Sequence, residues 1–143
     1  INNYQKDRFA QKIIDHFGND LAGKRIAILG WAFKANTNDS RESPAIYVAE
    51  KLFKSGAILD IYDPMVSKES IFRDIEFYWE ASKTQNLTSQ ISVLEPMSTL
   101  DLSYDATAIL TEWKEFETFD FSKTLVFDGR GILSSSNYSI GKG

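Results

Sequence analysis

The sequence contains no cysteine and only one histidine, His16, among its 143 residues. Without thiols, the chain can form no disulfide, thiolate metal site or cysteine nucleophile. One histidine builds neither a histidine-based metal site nor a Ser-His-Asp triad. No pair of carboxylates has a spacing typical of acid–base catalysis. We therefore predict no catalytic residue and no metal site in this chain, and we expect His16 to be solvated or to complement a helix dipole.

Long hydrophobic runs and clusters of basic residues are also absent. No apolar stretch approaches the roughly 20 residues that span a bilayer, and residues 1–8 lack the apolar segment of a secretory signal. The net charge is −4, from 16 Lys and Arg against 20 Asp and Glu. These features predict a cytoplasmic protein without a membrane or nucleic-acid partner. The chain also begins without Met, which indicates an origin within a longer protein.

The apolar content, 43% hydrophobic with 13% aromatic residues, is enough for one packed domain. Short apolar runs predict five strands, at Arg25–Leu29, Ile58–Tyr62, 91–94, 106–110 and 125–127. Helical spacing predicts one helix over 3–17 and a second that begins at Pro44 and ends before Gly56. Shorter helices are predicted near 68–74, 97–102 and 113–116. Residues 76–90 have no clear pattern, and residues 134–137 are too few for a helix before an uncertain last strand at 138–140. The alternation predicts a Rossmann-like α/β fold of three layers around a mostly parallel sheet.

Two loops at the carboxyl ends of the predicted strands, where such folds bind ligands, contain candidate site residues. After the first strand, Gly30 matches only the opening glycine of the dinucleotide-binding Gly-x-Gly-x-x-Gly loop, and Phe33 and Lys34 follow it. Gly129-Arg130 comes after the strand predicted at 125–127. Lys34 and Arg130 would lie at the same edge of a parallel sheet. Two cations there could bind a diphosphate. The Arg side chain would donate two parallel hydrogen bonds to phosphate oxygens, and the Lys side chain would act as a point charge.

The charged loop residues also have simpler interpretations. Loop cations are often merely solvated, and Asp128 could pair with Arg130. The acidic and basic residues before the second helix could form a local salt-bridge cluster: Asp39, Arg41 and Glu42. Asp63 ends the second strand, where Rossmann proteins place a ribose-binding acid. An ordinary Asp-Pro turn is the more economical interpretation of that position.

A series of motifs runs in order along the chain: Asn3-Tyr4-Gln5 with Arg8-Phe9, Lys24-Arg25-Ile26-Ala27-Ile28-Leu29-Gly30-Trp31-Ala32-Phe33-Lys34, Thr37, Asp39, Arg41-Glu42-Ser43-Pro44, Ile61-Tyr62-Asp63-Pro64, Thr111-Glu112-Trp113 and Phe127-Asp128-Gly129-Arg130. Together they cover nearly the whole chain, and they resemble the UDP-binding domain of the UDP-glucose/GDP-mannose dehydrogenase family. The form Phe-Lys-x-x-Thr-x-Asp-x-Arg-Glu-Ser is most similar to members that act on UDP-glucose. Members that act on UDP-N-acetyl sugars or GDP-mannose share much of it.

The resemblance implies roles for four residues. Phe33, Lys34 and Arg130 fall where the family contacts the UDP-sugar, and Arg41 falls on an arginine that reaches the NAD pyrophosphate. Such enzymes oxidise the C6 alcohol of the sugar to a carboxylate in two NAD-dependent steps through a cysteine thioester. The resemblance therefore implies NAD as cofactor, bound mainly by an N-terminal Rossmann domain, and a homo-oligomer that forms through a helical middle domain.

Residues 1–143 are thus expected to form a single UDP-sugar-binding C-terminal domain, with 1–18 as the helix that enters from the middle domain. Because it lacks the cysteine and the NAD domain, the chain is expected to bind without catalysing. Two other classes of function stay open. One is a non-catalytic nucleotide-sensing module, and the other is a stand-alone NAD-binding domain, which the incomplete glycine pattern disfavours.

Overall fold

A computed structural model describes residues 3–80, 87–94 and 101–133. Five parallel strands form one sheet: β1 (Arg25–Leu29), β2 (Ile58–Tyr62), β3 (Ile91–Val93), β4 (Ala106–Ile109) and β5 (Leu125–Asp128). Their order across the sheet is β3-β2-β1-β4-β5. All five predicted strands are confirmed. The prediction succeeds because short β-branched and apolar runs suit strands that are buried on both faces.

The helices of the described residues are α1 (Asn3–His16), α2 (Pro44–Lys54) and α3 (Lys68–Tyr78), with 3-10 turns at Leu87–Ser89 and Lys114–Thr118. α2 begins at Pro44 as predicted. The hydroxyl of Ser43, at the N-cap position, donates to the Trp31 carbonyl, 2.8 Å away, and forms no capping hydrogen bond with the helix. α3 runs past its predicted end because Ile75 continues its buried face. Of the helix predicted at 97–102, residues 101–102 are not helical and the rest lies outside the described residues, as does the strand at 138–140.

Alternate residues of β1 pack on opposite faces of the sheet. Ile26 and Ile28 belong to the main core, which also contains the apolar sides of the three helices. Ala27 packs instead with Leu102 and Tyr104, and two partly buried phenylalanines join this smaller cluster. The predicted three layers are therefore present, with irregular chain and a 3-10 turn in the third layer.

The connectivity of the sheet creates a topological switch point beside β1. The chain runs outward from β1 through β2 to β3, and it then returns to place β4 on the other side of β1. The loops after β1 and β4 flank this point, where doubly wound folds bind their ligands. The predicted Rossmann-like α/β fold is thus confirmed. Within the described ranges, no helix could cross a membrane and no group of His, Asp and Glu side chains could hold a metal ion.

Candidate functional site

The loop after β1 begins with a close contact to the loop after β4. Gly30 has a φ of +101°, and a Cβ atom at this position would lie 2.5 Å from the Cβ atom of Thr111. The hydroxyl of Thr111 donates to the carbonyl of Ala32 over 2.7 Å. Gly30 therefore allows two loops to approach each other, whereas the first glycine of a dinucleotide fingerprint serves a tight turn beside a pyrophosphate.

Asp63, at the end of β2, joins three loops. Its side chain is buried, and its Oδ2 atom accepts hydrogen bonds from the backbone N–H groups of Trp31 and Ala32, at 2.7 and 2.9 Å, and from Nε1 of Trp113 at 3.1 Å. Its Oδ1 atom accepts from two backbone N–H groups of the turn that follows. The turn interpretation is confirmed. Because both oxygens are engaged, Asp63 is not positioned to bind a ribose.

The outer part of the β1 loop, which carries Phe33 and Lys34, is closed on itself. The N–H of Phe33 donates to the carbonyl of Asp39 over 2.7 Å, and the Ser40 hydroxyl anchors the loop to Asp74 of α3 over 2.6 Å. The Phe33 side chain is 52% exposed and Lys34 is exposed as well. In the part of the chain that the structure describes, Lys34 forms no hydrogen bond or ion pair. The loop thus presents an aromatic ring and a cation on a fixed backbone.

Arg41, farther along the same loop, forms a fork with Asp39. The Nε and Nη2 atoms of Arg41 each donate to one carboxylate oxygen of Asp39, both over 3.1 Å. The hydrogen bond from the Arg41 side chain holds the pKa of Asp39 below its ordinary value. The Arg41 side chain is 85% exposed, so a surface pair of this kind contributes little to stability. The predicted local salt bridge is confirmed for these two residues, whereas Glu42 forms no ion pair with any residue that the structure describes.

The loop after β5 is held by a second buried aspartate. Asp128 accepts hydrogen bonds from the backbone N–H groups of Arg130, Gly131 and Leu133, at 3.0, 2.7 and 3.0 Å. The alternative charge pair between Asp128 and the Arg130 side chain does not form in the part of the chain that the structure describes. There, the Asp128 carboxylate accepts hydrogen bonds from backbone N–H groups only. The Arg130 guanidinium instead pairs with Glu112, with 3.1 Å between Nη2 and Oε2.

Two tyrosines donate hydrogen bonds to carboxylates beside the sheet. The Tyr62 hydroxyl bonds to Glu115 over 2.7 Å, and the Tyr104 hydroxyl bonds to Asp60 over 2.6 Å. Burial, aided by these bonds, raises the pKa of both phenols well above the usual value. Both groups therefore stay neutral, and neither offers a base near neutral pH.

The structure places the four predicted site residues at the carboxyl edge of the sheet, on two loops. Phe33, Lys34 and Arg41 lie on the loop after β1, and Arg130 lies on the loop after β5. Among the described residues, no hydrogen bond or ion pair joins the predicted side chains of one loop to those of the other. The loop after β4 connects them, through Thr111 on one side and Glu112 on the other. Sequence reasoning missed this connection, although the Thr-Glu-Trp motif directly after a buried strand was the available signal.

The sequence model of one protein family matches residues 27–135: the UDP-binding domain of the UDP-glucose/GDP-mannose dehydrogenase family. UDP-glucose 6-dehydrogenase 1 of Arabidopsis thaliana is 38% identical over 167 aligned positions, which cover 99% of this chain and 35% of the plant protein. UDP-glucose 6-dehydrogenase of Drosophila melanogaster is 42% identical over 142 positions, which cover 93% of this chain and 30% of the fly protein. The chain spans about a third of the length of these curated relatives.

Solved structures of similar enzymes contain the same fold. A UDP-glucose dehydrogenase from the hyperthermophilic archaeon Pyrobaculum islandicum has a TM-score of 0.72 and 25% identity, and the match covers 98% of this chain and 30% of that one. A ternary complex of GDP-mannose dehydrogenase from Pseudomonas aeruginosa has a TM-score of 0.59 and 27% identity, over 91% of this chain and 30% of that one. The family model, the sequence relatives and the fold agree, and the chain belongs to the UDP-glucose/GDP-mannose dehydrogenase family through its UDP-binding domain.

Proposed function

We propose that this domain binds the UDP part of a nucleotide sugar within an NAD-dependent UDP-glucose 6-dehydrogenase that oxidises UDP-glucose to UDP-glucuronate. The observation that carries this proposal is the arrangement of two cations, Lys34 and Arg130, on loops at one edge of the sheet. The loop of Lys34 flanks the topological switch point, and the loop of Arg130 follows β5, one strand beyond β4, in a domain that the family model describes as UDP-binding. The named sequence relatives, all UDP-glucose 6-dehydrogenases, favour glucose as the sugar.

The chemistry of the proposed substrate contacts follows from the three side chains. Arg130 has a planar guanidinium that suits forked hydrogen bonds to phosphate oxygens, and Lys34 adds a mobile point charge. Phe33, half exposed beside Lys34, offers an apolar surface to the rest of the nucleotide sugar. Binding energy gained at the diphosphate would hold the remote nucleotide while the sugar reacts elsewhere in the enzyme.

NAD is proposed to bind mainly outside these 143 residues, where it would supply the hydride acceptor. Asp63, in the position of a ribose-binding acid, has both carboxylate oxygens engaged by N–H donors, which does not suit a Rossmann-type dinucleotide site in this domain. Arg41 is exposed, and Asp39 engages its Nε and Nη2 atoms, so the N–H groups of Nη1 face no acceptor among the described residues, which suits a contact with a pyrophosphate held by another domain. We propose this contact for Arg41.

The domain is proposed to be one part of a larger homo-oligomeric enzyme, with residues 1–18 as the helix that enters from the preceding domain. The 143 residues contain no cysteine for a thioester, and the two phenols beside the sheet stay neutral. We therefore expect the isolated domain to bind without catalysing.

A calorimetric titration of the full-length protein and of the 143-residue domain with UDP, UDP-glucose and NAD at low salt tests this function. Lys34→Ala and Arg130→Ala should each weaken UDP binding about 10- to 100-fold, since each removes a charged hydrogen bond to phosphate worth about 1.5–3 kcal/mol. Lys123→Ala, which removes an exposed cation just before β5 at the opposite edge of the sheet, is the matched control.

The outcomes of this titration separate the candidate functions. UDP binding that survives both Lys34→Ala and Arg130→Ala would show that the assigned site is wrong. Tight NAD binding by the domain without UDP binding would favour a plain dinucleotide-binding domain. Preference for GDP-mannose or a UDP-N-acetyl sugar over UDP-glucose would move the protein to another branch of the family.

A further inference from the structure

The loop after β4 takes no part in the substrate contacts proposed above, yet it touches both loops that do. The hydroxyl of Thr111 donates to Ala32, directly before Phe33 in the chain. The indole Nε1 of Trp113 donates to Asp63, which also binds the N–H of Ala32. Because Thr111 and Trp113 are both buried, the backbone of the residue between them is fixed against the β1 loop.

That residue, Glu112, faces the β5 loop. Its side chain is 38% exposed and that of Arg130 is 28% exposed. The Nη2 atom of Arg130 lies 3.1 Å from each carboxylate oxygen, but it forms a hydrogen bond with Oε2 alone. Oε1 is buried and has no hydrogen-bond partner among the described residues. Arg130 is thus held from two sides: Asp128 binds its backbone N–H, and Glu112 binds its guanidinium.

The guanidinium keeps donors for a ligand in this arrangement. An arginine side chain has N–H groups on Nε and on both Nη atoms. Glu112 engages Nη2, while Nε and Nη1 of Arg130 have no acceptor among residues 3–80, 87–94 and 101–133. One edge of the planar group is therefore fixed by the protein, and another edge is available for a forked contact with an oxyanion.

We propose that Glu112 is a positioning residue, which holds the Arg130 guanidinium against the loop after β4, at the same edge of the sheet as Lys34, so that both cations bind one diphosphate. The inference rests on the proposed function, because it assumes that Lys34 and Arg130 bind phosphate. A long side chain that is already ordered loses less rotamer entropy when the ligand arrives.

Glu112 also has an opposite electrostatic effect. Its negative charge lowers the net positive charge of the site and, by itself, repels an anion. Simple electrostatics therefore predicts tighter diphosphate binding when Glu112 is removed, whereas a positioning role predicts weaker binding. The sign of the change distinguishes the two.

The experiment is a calorimetric titration of the full-length protein with UDP and, as a phosphate-free probe, uridine. Glu112→Ala should weaken UDP binding roughly five- to tenfold and leave uridine binding unchanged. Glu112→Gln should restore UDP binding to within about twofold of the parent, since its amide oxygen can still accept from Nη2. Glu117→Ala removes an exposed carboxylate from the 3-10 turn nearby and should leave UDP binding unchanged.

A double-mutant cycle assigns the effect to Arg130. Glu112→Ala should have no further effect on UDP binding in an Arg130→Ala background, because two residues that act through one contact are not additive. Additive losses, or UDP binding by Glu112→Ala as tight as the parent's or tighter, would overturn the positioning role alone. Absence of UDP binding by the parent protein would overturn the proposed function and this inference with it.

Discussion

At the scale of single residues, two buried aspartates shape the candidate site. Asp63 directly follows β2, Asp128 is the last residue of β5, and both side chains are buried. Among the described residues, neither has a basic side chain within ion-pair distance, and N–H donors surround both carboxylates. A buried carboxylate is costly unless such donors compensate it. Each aspartate is therefore stable only when the N–H groups of the surrounding loops point at its carboxylate. This requirement fixes the backbone conformation of those loops.

Replacement of Asp63 by Asn tests this requirement. Asp63→Asn places an NH₂ group against N–H donors and should lower the free energy of unfolding by about 2–4 kcal/mol. Asp20→Asn is the matched control, since Asp20 is exposed and accepts one N–H from Ala22, and it should change stability by less than about 0.5 kcal/mol. Urea denaturation measures both. Equal effects of the two substitutions would contradict the role of Asp63 as a junction of loops.

Arg41 provides a second prediction at this scale, for the full-length enzyme. Arg41→Ala should raise the KM for NAD about tenfold or more, because it removes a charged donor to the pyrophosphate, and it should leave the KM for the UDP-sugar unchanged. Asp39→Asn breaks the fork seen in this structure but keeps the cation, so NAD use should be retained. Steady-state kinetics at varied NAD would reject the assignment if Arg41→Ala behaved like the parent.

At the scale of elements, the sequence predicts regular structure well and contacts between loops poorly. The strands were predictable because each is a short apolar run. Turn-forming residues also mark the ends of two of them, since Gly30 follows β1 and Asp63 follows β2. Parallel pairing then places Lys34 and Arg130 at one edge of the sheet. The pairing of Arg130 with Glu112 was not predictable, because these residues are 18 positions apart in separate loops and no periodic pattern relates them.

The contact between the β1 and β4 loops predicts a large effect of one added methyl group. Gly30→Ala would bring a Cβ atom to 2.5 Å from Thr111, at a φ of +101°, and should cost about 3–5 kcal/mol of unfolding free energy. Gly18→Ala has a φ of +75° with nothing within 4 Å, and it should cost only about 1–2 kcal/mol, from backbone strain. Thermal or urea unfolding compares the pair. Equal costs would mean that the loops do not meet as described.

At the scale of the whole molecule, α1 belongs to the same core as the sheet. Phe9, Ile13 and other apolar residues of α1 are buried in the main core. The ring of Phe9 also lies against Gly129, where an added Cβ atom would be 3.2 Å from the ring. Gly129 directly precedes Arg130, so α1 supports the loop that carries the proposed phosphate contact. A helix proposed to enter from the preceding domain thus contacts the loop of the proposed nucleotide site.

This support predicts that two substitutions in α1 differ in their effect on binding. Phe9→Leu shortens the side chain beneath Gly129 and should weaken UDP binding roughly threefold, because the position of Arg130 becomes less well defined. Ile13→Val removes one methylene from a buried position one turn farther along the same helix, and it should cost about 1 kcal/mol of stability without a change in UDP affinity. Calorimetry at a temperature where both variants are folded makes the comparison. Indistinguishable UDP affinities would confine α1 to a packing role, whereas the expected difference would make it a physical connection between the preceding chain and the site.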